Sequence, residues 1–333
     1  MIRGMYAGIS GMKSQQTKLD VIGNNLANVG TTGFKSSRVV FKDMLYQNSS
    51  NSVGASNNLG GSNAKQVGLG VSVGSIDRIM GQGMMQPTGR SLDVAIDGDG
   101  FLMVAKGPIS NGGDNGIKLE TNGNIDSSGD REIFYTRDGS LSLDADGFLV
   151  TSSGERVLGY AIKGTPQAKE DGEAVTSIGE NGDMKIVDPE KNTLSVEDEL
   201  VSLRIPDEID GKKLMSYSIG KDGLITGVVE GGEMTVLGQL ATASFVNPGG
   251  LEAVGNNMYL NSANSGSPVV SSGVGAENVR SGGDIVQGML EMSNVDIAEQ
   301  FTDLIVTSRA FQASSKIIST SDEILQDVVN LKR

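Results

Sequence analysis

The chain has 333 residues, among them 47 glycines and 7 prolines, with a formal net charge of −14 and no His, Cys or Trp. Without His or Cys it cannot build a zinc site from the usual nitrogen and sulfur ligands, a Cys or Ser/His nucleophile, or a disulfide. The acidic balance argues against nucleic acid or an anionic membrane surface as the main partner, while 37% hydrophobic content supports folded cores in roughly two domains.

The first ten residues lack an apolar h-region followed by a cleavage site, and no run approaches 18 apolar residues, so neither a Sec signal peptide nor a transmembrane helix is expected. From Ile2 to about Asn28 apolar residues recur at helical spacing, with Met5, Met12, Leu19 and Leu26 seven apart and Ile2 and Ile9 beside them. This pattern predicts a helix that stops at Asn28-Val29-Gly30, with Gly30 as the residue closing its C-terminus. Gly4, Gly8, Gly11 and Gly23 lie inside it, and each costs about 1 kcal/mol relative to alanine. The helix therefore needs a packing partner, and the same glycines let a second helix approach closely.

Residues 48–63 are rich in Ser, Asn and Gly and read as an extended or flexible connector. From about Val67 onward, short apolar runs alternate with turn dipeptides. Residues 92–96 and 101–104 flank Asp97-Gly98-Asp99-Gly100, a hairpin signal, and similar runs surround Asp138-Gly139, Asp146-Gly147 and Asp222-Gly223. An antiparallel β domain is expected, with the polar stretches 107–130 and 164–199 as insertions into it.

At the other end Ser293-Asn294 offers an N-cap, and Asp296 and Glu299 fall in a first turn where the helix dipole favours anions. Ile297, Leu304, Phe311, Ile318 and Leu325 are seven apart, the strongest periodic signal in the chain. Ala310, Ile317, Ile324 and Leu331 widen this face, while Thr307, Ser314 and Ser321 keep its seam slim. At 1.5 Å per residue the helix would run roughly 55 Å, too long for the wall of one small domain. Residues 1–50 carry six basic and two acidic side chains, and residues 284–333 carry four basic and eight acidic ones. The two ends are thus suited to pair with each other, within or between chains; the alternative is two solvated faces.

Carboxylates are the best catalytic candidates left. Asp97 with Asp99 and Asp144 with Asp146 lack the spacing of a calcium loop and read as hairpin turn residues, and no Walker A, G-x-G-x-x-G or S-x-x-K signature is present. No catalytic, cofactor or metal site is expected. The enzymatic alternative is a secreted hydrolase using Asp97 or Asp144, which leaves the terminal heptads unexplained; a further alternative is a free adhesin whose ends form a private coiled coil.

The residues themselves resemble a known family. Leu19-Asp20-Val21-Ile22-Gly23-Asn24-Asn25-Leu26-Ala27-Asn28-Val29-Gly30-Thr31-Thr32-Gly33-Phe34-Lys35 resembles the N-terminal motif of the axial proteins of the bacterial flagellum, its rod, hook and hook-associated proteins. Gly288-Met289-Leu290-Glu291-Met292-Ser293-Asn294-Val295-Asp296, Arg309-Ala310-Phe311-Gln312-Ala313 and Thr320-Ser321-Asp322-Glu323-Ile324-Leu325 match at the other end. Between them Gly89-Arg90-Ser91-Leu92-Asp93-Val94-Ala95-Ile96, Tyr135-Thr136-Arg137-Asp138-Gly139 and the stretch from Phe245 to Leu251 also match. Within the family, Ile9-Ser10-Gly11-Met12, Val67-Gly68-Leu69-Gly70-Val71 and the final Val328-Val329-Asn330-Leu331-Lys332-Arg333 are hook-like, with the distal rod proteins a close second.

This resemblance implies a non-enzymatic subunit, exported unfolded by the flagellar type III apparatus without a cleaved signal and located in the extracellular hook and basal body. There it would polymerise with itself and meet the rod, hook-cap and hook–filament junction proteins, with no nucleic acid and no membrane insertion. The expected fold is α+β: paired N- and C-terminal coiled-coil helices (1–30 and 284–333), an extended connector (31–75) and a central, mainly antiparallel β domain (76–283), with 164–199 a small insertion or rudimentary outer domain. Expected assembly residues are Met5, Ile9, Met12, Leu19, Leu26, Ile297, Phe301, Leu304, Phe311, Ile318 and Leu325. The family-motif residues are Asn24, Asn25, Asn28, Gly33, Phe34, Lys35, Ser293, Asn294 and Val295.

Overall fold

A computed structural model describes residues 2–52, 54, 60–110, 117–118, 131–166, 175–178, 185–188, 192–271 and 282–331. Its contacts separate two units. The first comprises Met1–Val29, Lys35–Ile79 and Val295–Arg333; the second comprises Gly30–Phe34 and Met80–Asn294.

The first unit is built from two long helices and a β ribbon. Helix α1 spans Ile2–Ala27 and helix α2 spans Ile297–Asn330. The expected cap at Ser293-Asn294 is displaced: Asp296 is the N-cap, its Oδ1 accepting from the amides of Ala298 (2.8 Å) and Glu299 (3.2 Å). Asn294 is engaged elsewhere, its Nδ2 donating to the Gly81 carbonyl at 3.1 Å. Gly30 does not close α1 in a left-handed conformation; the positive φ falls at Gly33, and Asn28 covers the helix end by donating to the Asn24 carbonyl at 3.0 Å.

The ribbon pairs β1 (Ser37–Asp43) with β4 (Val71–Arg78) and β2 (Tyr46–Ser50) with β3 (Lys65–Gly68), all antiparallel. Backbone bonds from Met44 to Gly70 (2.9 Å) and from Leu69 to Leu45 (3.2 Å) join the two pairs. Asn48 to Ser50, expected in a connector, therefore lie in a strand, because alternate backbone groups of this polar stretch find partners on β3; residues 53 and 55–59 fall outside the described residues.

Among the described residues of the second unit every strand pairing is antiparallel. The strand Phe101–Lys106 lies in the middle of the main sheet, paired with Glu132–Thr136, Thr242–Ser244 and Arg156–Pro166. Its side chains alternate between two cores. Phe101, Met103 and Ala105 join Tyr135, Leu158, Tyr160 and Tyr259, whereas Leu102 and Val104 join Leu141, Leu149, Val157 and Leu237. Burial on both faces explains why this strand reads as an unbroken apolar run.

Asp146-Gly147 and Asp222-Gly223 each turn between paired strands, but Asp97-Gly98-Asp99-Gly100 does not. Val94–Asp97 pairs with Asp284–Gln287, far along the chain. The glycines serve that crossing: a Cβ on Gly100 would sit 2.1 Å from the Gly282 carbonyl oxygen, so the backbones pass too closely for any side chain. Within 164–199, Gly164, Thr165 and Pro166 pair with Leu194, Thr193 and Asn192, continuing two strands of the sheet, and Val175–Thr176 adds a short edge. Residues 167–174, 179–184 and 189–191, like most of 107–130, lie outside the described residues.

Candidate functional site

In the first unit Gly8 and Gly11 of α1 face α2. A Cβ on Gly8 would meet Ile318 Cγ1 at 3.3 Å and the Ser314 carbonyl at 3.5 Å, and one on Gly11 would meet Ser314 Oγ at 3.2 Å. Further along, Lys18 Nζ reaches Asp303 Oδ2 at 3.0 Å, and Asn25 Nδ2 donates to Gln300 Oε1 at 3.1 Å. Numbers rise along α1 as they fall along α2, so the helices run antiparallel. Leu304, Phe311, Ile318 and Leu325 share one face of α2 at seven-residue spacing and are half-buried; Thr307, between them, is buried. Ile297 and Phe301 are each 48% exposed.

On α1 the half-buried Met12, Leu19 and Leu26 follow the contact positions Gly11, Lys18 and Asn25 by one residue, about 100° around the helix, and Met5 is half-buried in the same heptad. Ile9 is also half-buried, and Ile22 is buried at 3% exposure. Sequence periodicity missed Ile22 because the glycines, polar side chains and Ile22 that make the seam do not form an apolar heptad. With Gly8 opposite Ile318, Ile2 falls opposite about residue 324, so the last two turns of α2 run past the start of α1. Ile324, Val328, Val329 and Leu331 on that overhang are exposed, as are Ile305 and Val306; Ile317 is also exposed, although a Cβ on Gly8 would meet its Cγ2 at 3.6 Å.

Asn25 is a junction within the same unit. Its Nδ2 donates to the Ser37 carbonyl at 2.8 Å and its Oδ1 accepts from the Ser37 amide at 3.0 Å, pinning the start of β1 to α1. Asn24 is exposed, Asn28 and Val295 are half-buried, and Lys35 is buried at 1% exposure. Ser10 Oγ accepts from the Val71 amide at 3.3 Å, tying α1 to β4.

In the second unit the other matching motifs converge on a buried ion pair that sequence reading did not single out. Arg137 Nη1 lies 3.2 Å from Glu291 Oε2, with side-chain exposures of 2% and 0%. Glu291 Oε1 accepts from the Gly83 amide (2.8 Å) and the Glu291 carbonyl accepts from the Gly33 amide (2.8 Å). Arg137 Nη2 donates to the Gly98 carbonyl (2.7 Å), and the guanidinium stands 5.1 Å from the Phe101 ring centroid. Thr32 Oγ1 donates to Asp138, the Thr32 carbonyl accepts from Asn257, and the Asn294 amide donates to the half-buried Phe34 carbonyl. Ser293 is half-buried beside them in the chain. The signal that would have found Glu291 is a lone charge between Leu290 and Met292, where an exposed position would not need apolar neighbours.

The candidate carboxylates serve as turn groups. Asp97 is exposed and accepts from Gln82 at 3.2 Å, and Asp144 accepts from the Ala145 amide at 2.7 Å. Among the described residues no cluster of three or more acidic side chains is arranged to hold a metal, and no helix is long and apolar enough to cross a membrane. Burial pushes the Tyr135 phenol well above the usual tyrosine range, and a hydrogen bond from Tyr46 to Asp43 raises Tyr46.

Three family models match. Residues 5–35 match "Flagella basal body rod protein", residues 124–227 match "Flagellar hook protein FlgE/F/G D1 domain", and residues 286–331 match "Flagellar basal body rod FlgEFG protein C-terminal". The chain is 40% identical to the flagellar basal-body rod protein FlgG of Bacillus subtilis, covering 100% of both chains. It is 30% identical to the flagellar hook protein FlgE of Borreliella burgdorferi, again over 100% of both, in an alignment of 445 positions. The solved Helicobacter pylori flagellar hook protein FlgE2 aligns with 62% of this chain and 100% of that one at 11% identity and a TM-score of 0.39. Terminal helices, a central antiparallel β unit and full-length similarity to the Bacillus subtilis and Borreliella burgdorferi relatives together make the chain a member of the flagellar rod/hook family of structural proteins.

Proposed function

We propose that this chain is a hook subunit, polymerising with itself into a hollow, flexible tube that transmits torque from rod to filament. In this reading α1 and α2 pair as a coiled coil in the inner layer of the tube, the β unit forms the outer layer, and the subunit arrives unfolded through the type III export apparatus. Growth is bounded by the rod, the hook cap and the hook–filament junction proteins. The observation that carries the polymer is the apolar surface that α2 leaves uncovered: Ile305 and Val306 along the paired stretch, and Ile324, Val328 and Leu331 on the overhang beyond α1, are exposed. Several exposed apolar side chains on one helix call for a partner, and a second copy of the same chain supplies it.

The hook-like segments at residues 9–12, 67–71 and 328–333 favour hook over rod. The distal-rod reading has its own support: identity is 40% with a relative named FlgG and 30% with one named FlgE, and the FlgE alignment needs 445 positions for this chain of 333. Electron micrographs of polymer purified from cells separate the two. Curved, superhelical tubes are the expected result; straight, rigid cylinders would transfer the assignment to the rod.

A further inference from the structure

We propose that the Arg137–Glu291 pair is an all-or-none clamp that locks two chain segments into the β unit, the one leaving α1 (Gly30–Phe34) and the one approaching α2 (288–294). The inference begins with how much of Glu291 is committed. One carboxylate oxygen takes the Arg137 guanidinium, the other takes the Gly83 amide, and its own carbonyl takes the Gly33 amide. Arg137 extends the connection to the Gly98 carbonyl. Gly83 and Arg137 thereby meet at one fully buried carboxylate, with Gly33 held on the main-chain carbonyl of the same residue and Gly98 on the guanidinium. No acceptor meets Arg137 Nε among the described residues, so the guanidinium depends on Glu291 and Gly98 for its neutralisation and its hydrogen bonds.

Exposed hydrogen bonds can exchange for water one at a time. A buried ion pair cannot: losing either partner leaves the other charged and unsolvated, so such a pair is a poor source of net stability but fixes a single geometry. The space around it allows no gradual slippage. A Cβ on Gly83 would lie 1.9 Å from the Met292 carbonyl oxygen, and one on Gly33 would lie 2.8 Å from the Arg137 carbonyl carbon. Both segments are therefore held in direct backbone contact with what the pair organises. That this clamp stiffens the path along which a tube subunit carries force rests on the assembly reading above; the clamp itself does not.

Amide hydrogen exchange on the full-length monomer tests it, independently of whether the polymer is hook or rod. In Glu291→Gln the Gly33 and Gly83 amides should exchange at least about tenfold faster, while amides of the central strands Phe101–Lys106 and Arg156–Pro166 keep their protection. In the double variant Arg137→Met/Glu291→Leu, which removes both charges, the central strands should again be protected and Gly83, having lost its acceptor, should still exchange fast. Unchanged Gly33 and Gly83 in Glu291→Gln would overturn the clamp. So would loss of protection in parallel with the central strands, or full restoration of Gly83 in the double variant, since the pair would then be only filler.

Discussion

Gly33 adopts φ 67° where a Cβ would lie 2.8 Å from the backbone of Arg137 and Asp138. Gly33→Ala incurs roughly 1–2 kcal/mol for the left-handed conformation, and a further loss from the backbone displacement needed to admit a Cβ. A clear fall in the thermal midpoint of the β unit is expected, whereas Gly89→Ala, also at positive φ (70°) but in open space, should lose only the conformational part. Tyr135 gives a residue-scale prediction in pH. An unfolded tyrosine ionises near 10.0, and burial raises Tyr135 above that in the fold, so its contribution to stability is intact below pH 10 and declines as pH rises toward the folded value. Each pH unit in that window costs about 1.4 kcal/mol. Denaturant melts from pH 9 to 11 should show this decline, and Tyr135→Phe should flatten it; an unchanged slope would mean that another group governs alkaline unfolding.

At the scale of elements, the two glycine roles on α1 separate cleanly. Gly23 is exposed with nothing near a built Cβ, so Gly23→Ala should stabilise α1 by about 1 kcal/mol. Gly8 is buried against Ile318, and Gly8→Leu should overfill the seam and cost roughly 1–3 kcal/mol, read as lost helical ellipticity on heating. Lys18→Ala, by contrast, should change stability by less than about 1 kcal/mol, because the Lys18–Asp303 pair is partly solvated; opposite charge on the two ends assists their pairing without holding it. Both helices and their need for a partner were legible in the sequence, since heptad spacing and misplaced glycines are local signals. Which side of α1 makes the seam was not legible, because the contact is made by absent side chains and by polar ones, and an apolar count points one residue away. The Asp97 to Gly100 turn misled for a related reason: a glycine needed for close backbone approach looks the same in sequence as one needed for a hairpin, and the partner strand lies nearly 200 residues along the chain.

For the whole molecule, family membership was legible because the matching motifs are long, yet their physical reason was not. Asn25, Gly33, Arg137 and Glu291 matter through partners distant in sequence, and only the fold brings those partners within 3.2 Å. Polymerisation adds a scale above the chain, and two double variants address it. Leu304→Asp/Phe311→Asp places charge on the α1-facing side of α2 and should abolish both helix pairing and tube formation. Ile324→Asp/Val328→Asp places charge where α2 overhangs α1, on side chains already exposed, so the monomer should melt as the parent does. If a second copy covers that overhang, burying two carboxylates there is prohibitive, and sedimentation should find monomers at concentrations where the parent forms tubes. Tubes of normal length from Ile324→Asp/Val328→Asp would place the inter-subunit contact elsewhere on α2, and the exposed neighbours Ile305 and Val306 would be the next to carry the charge.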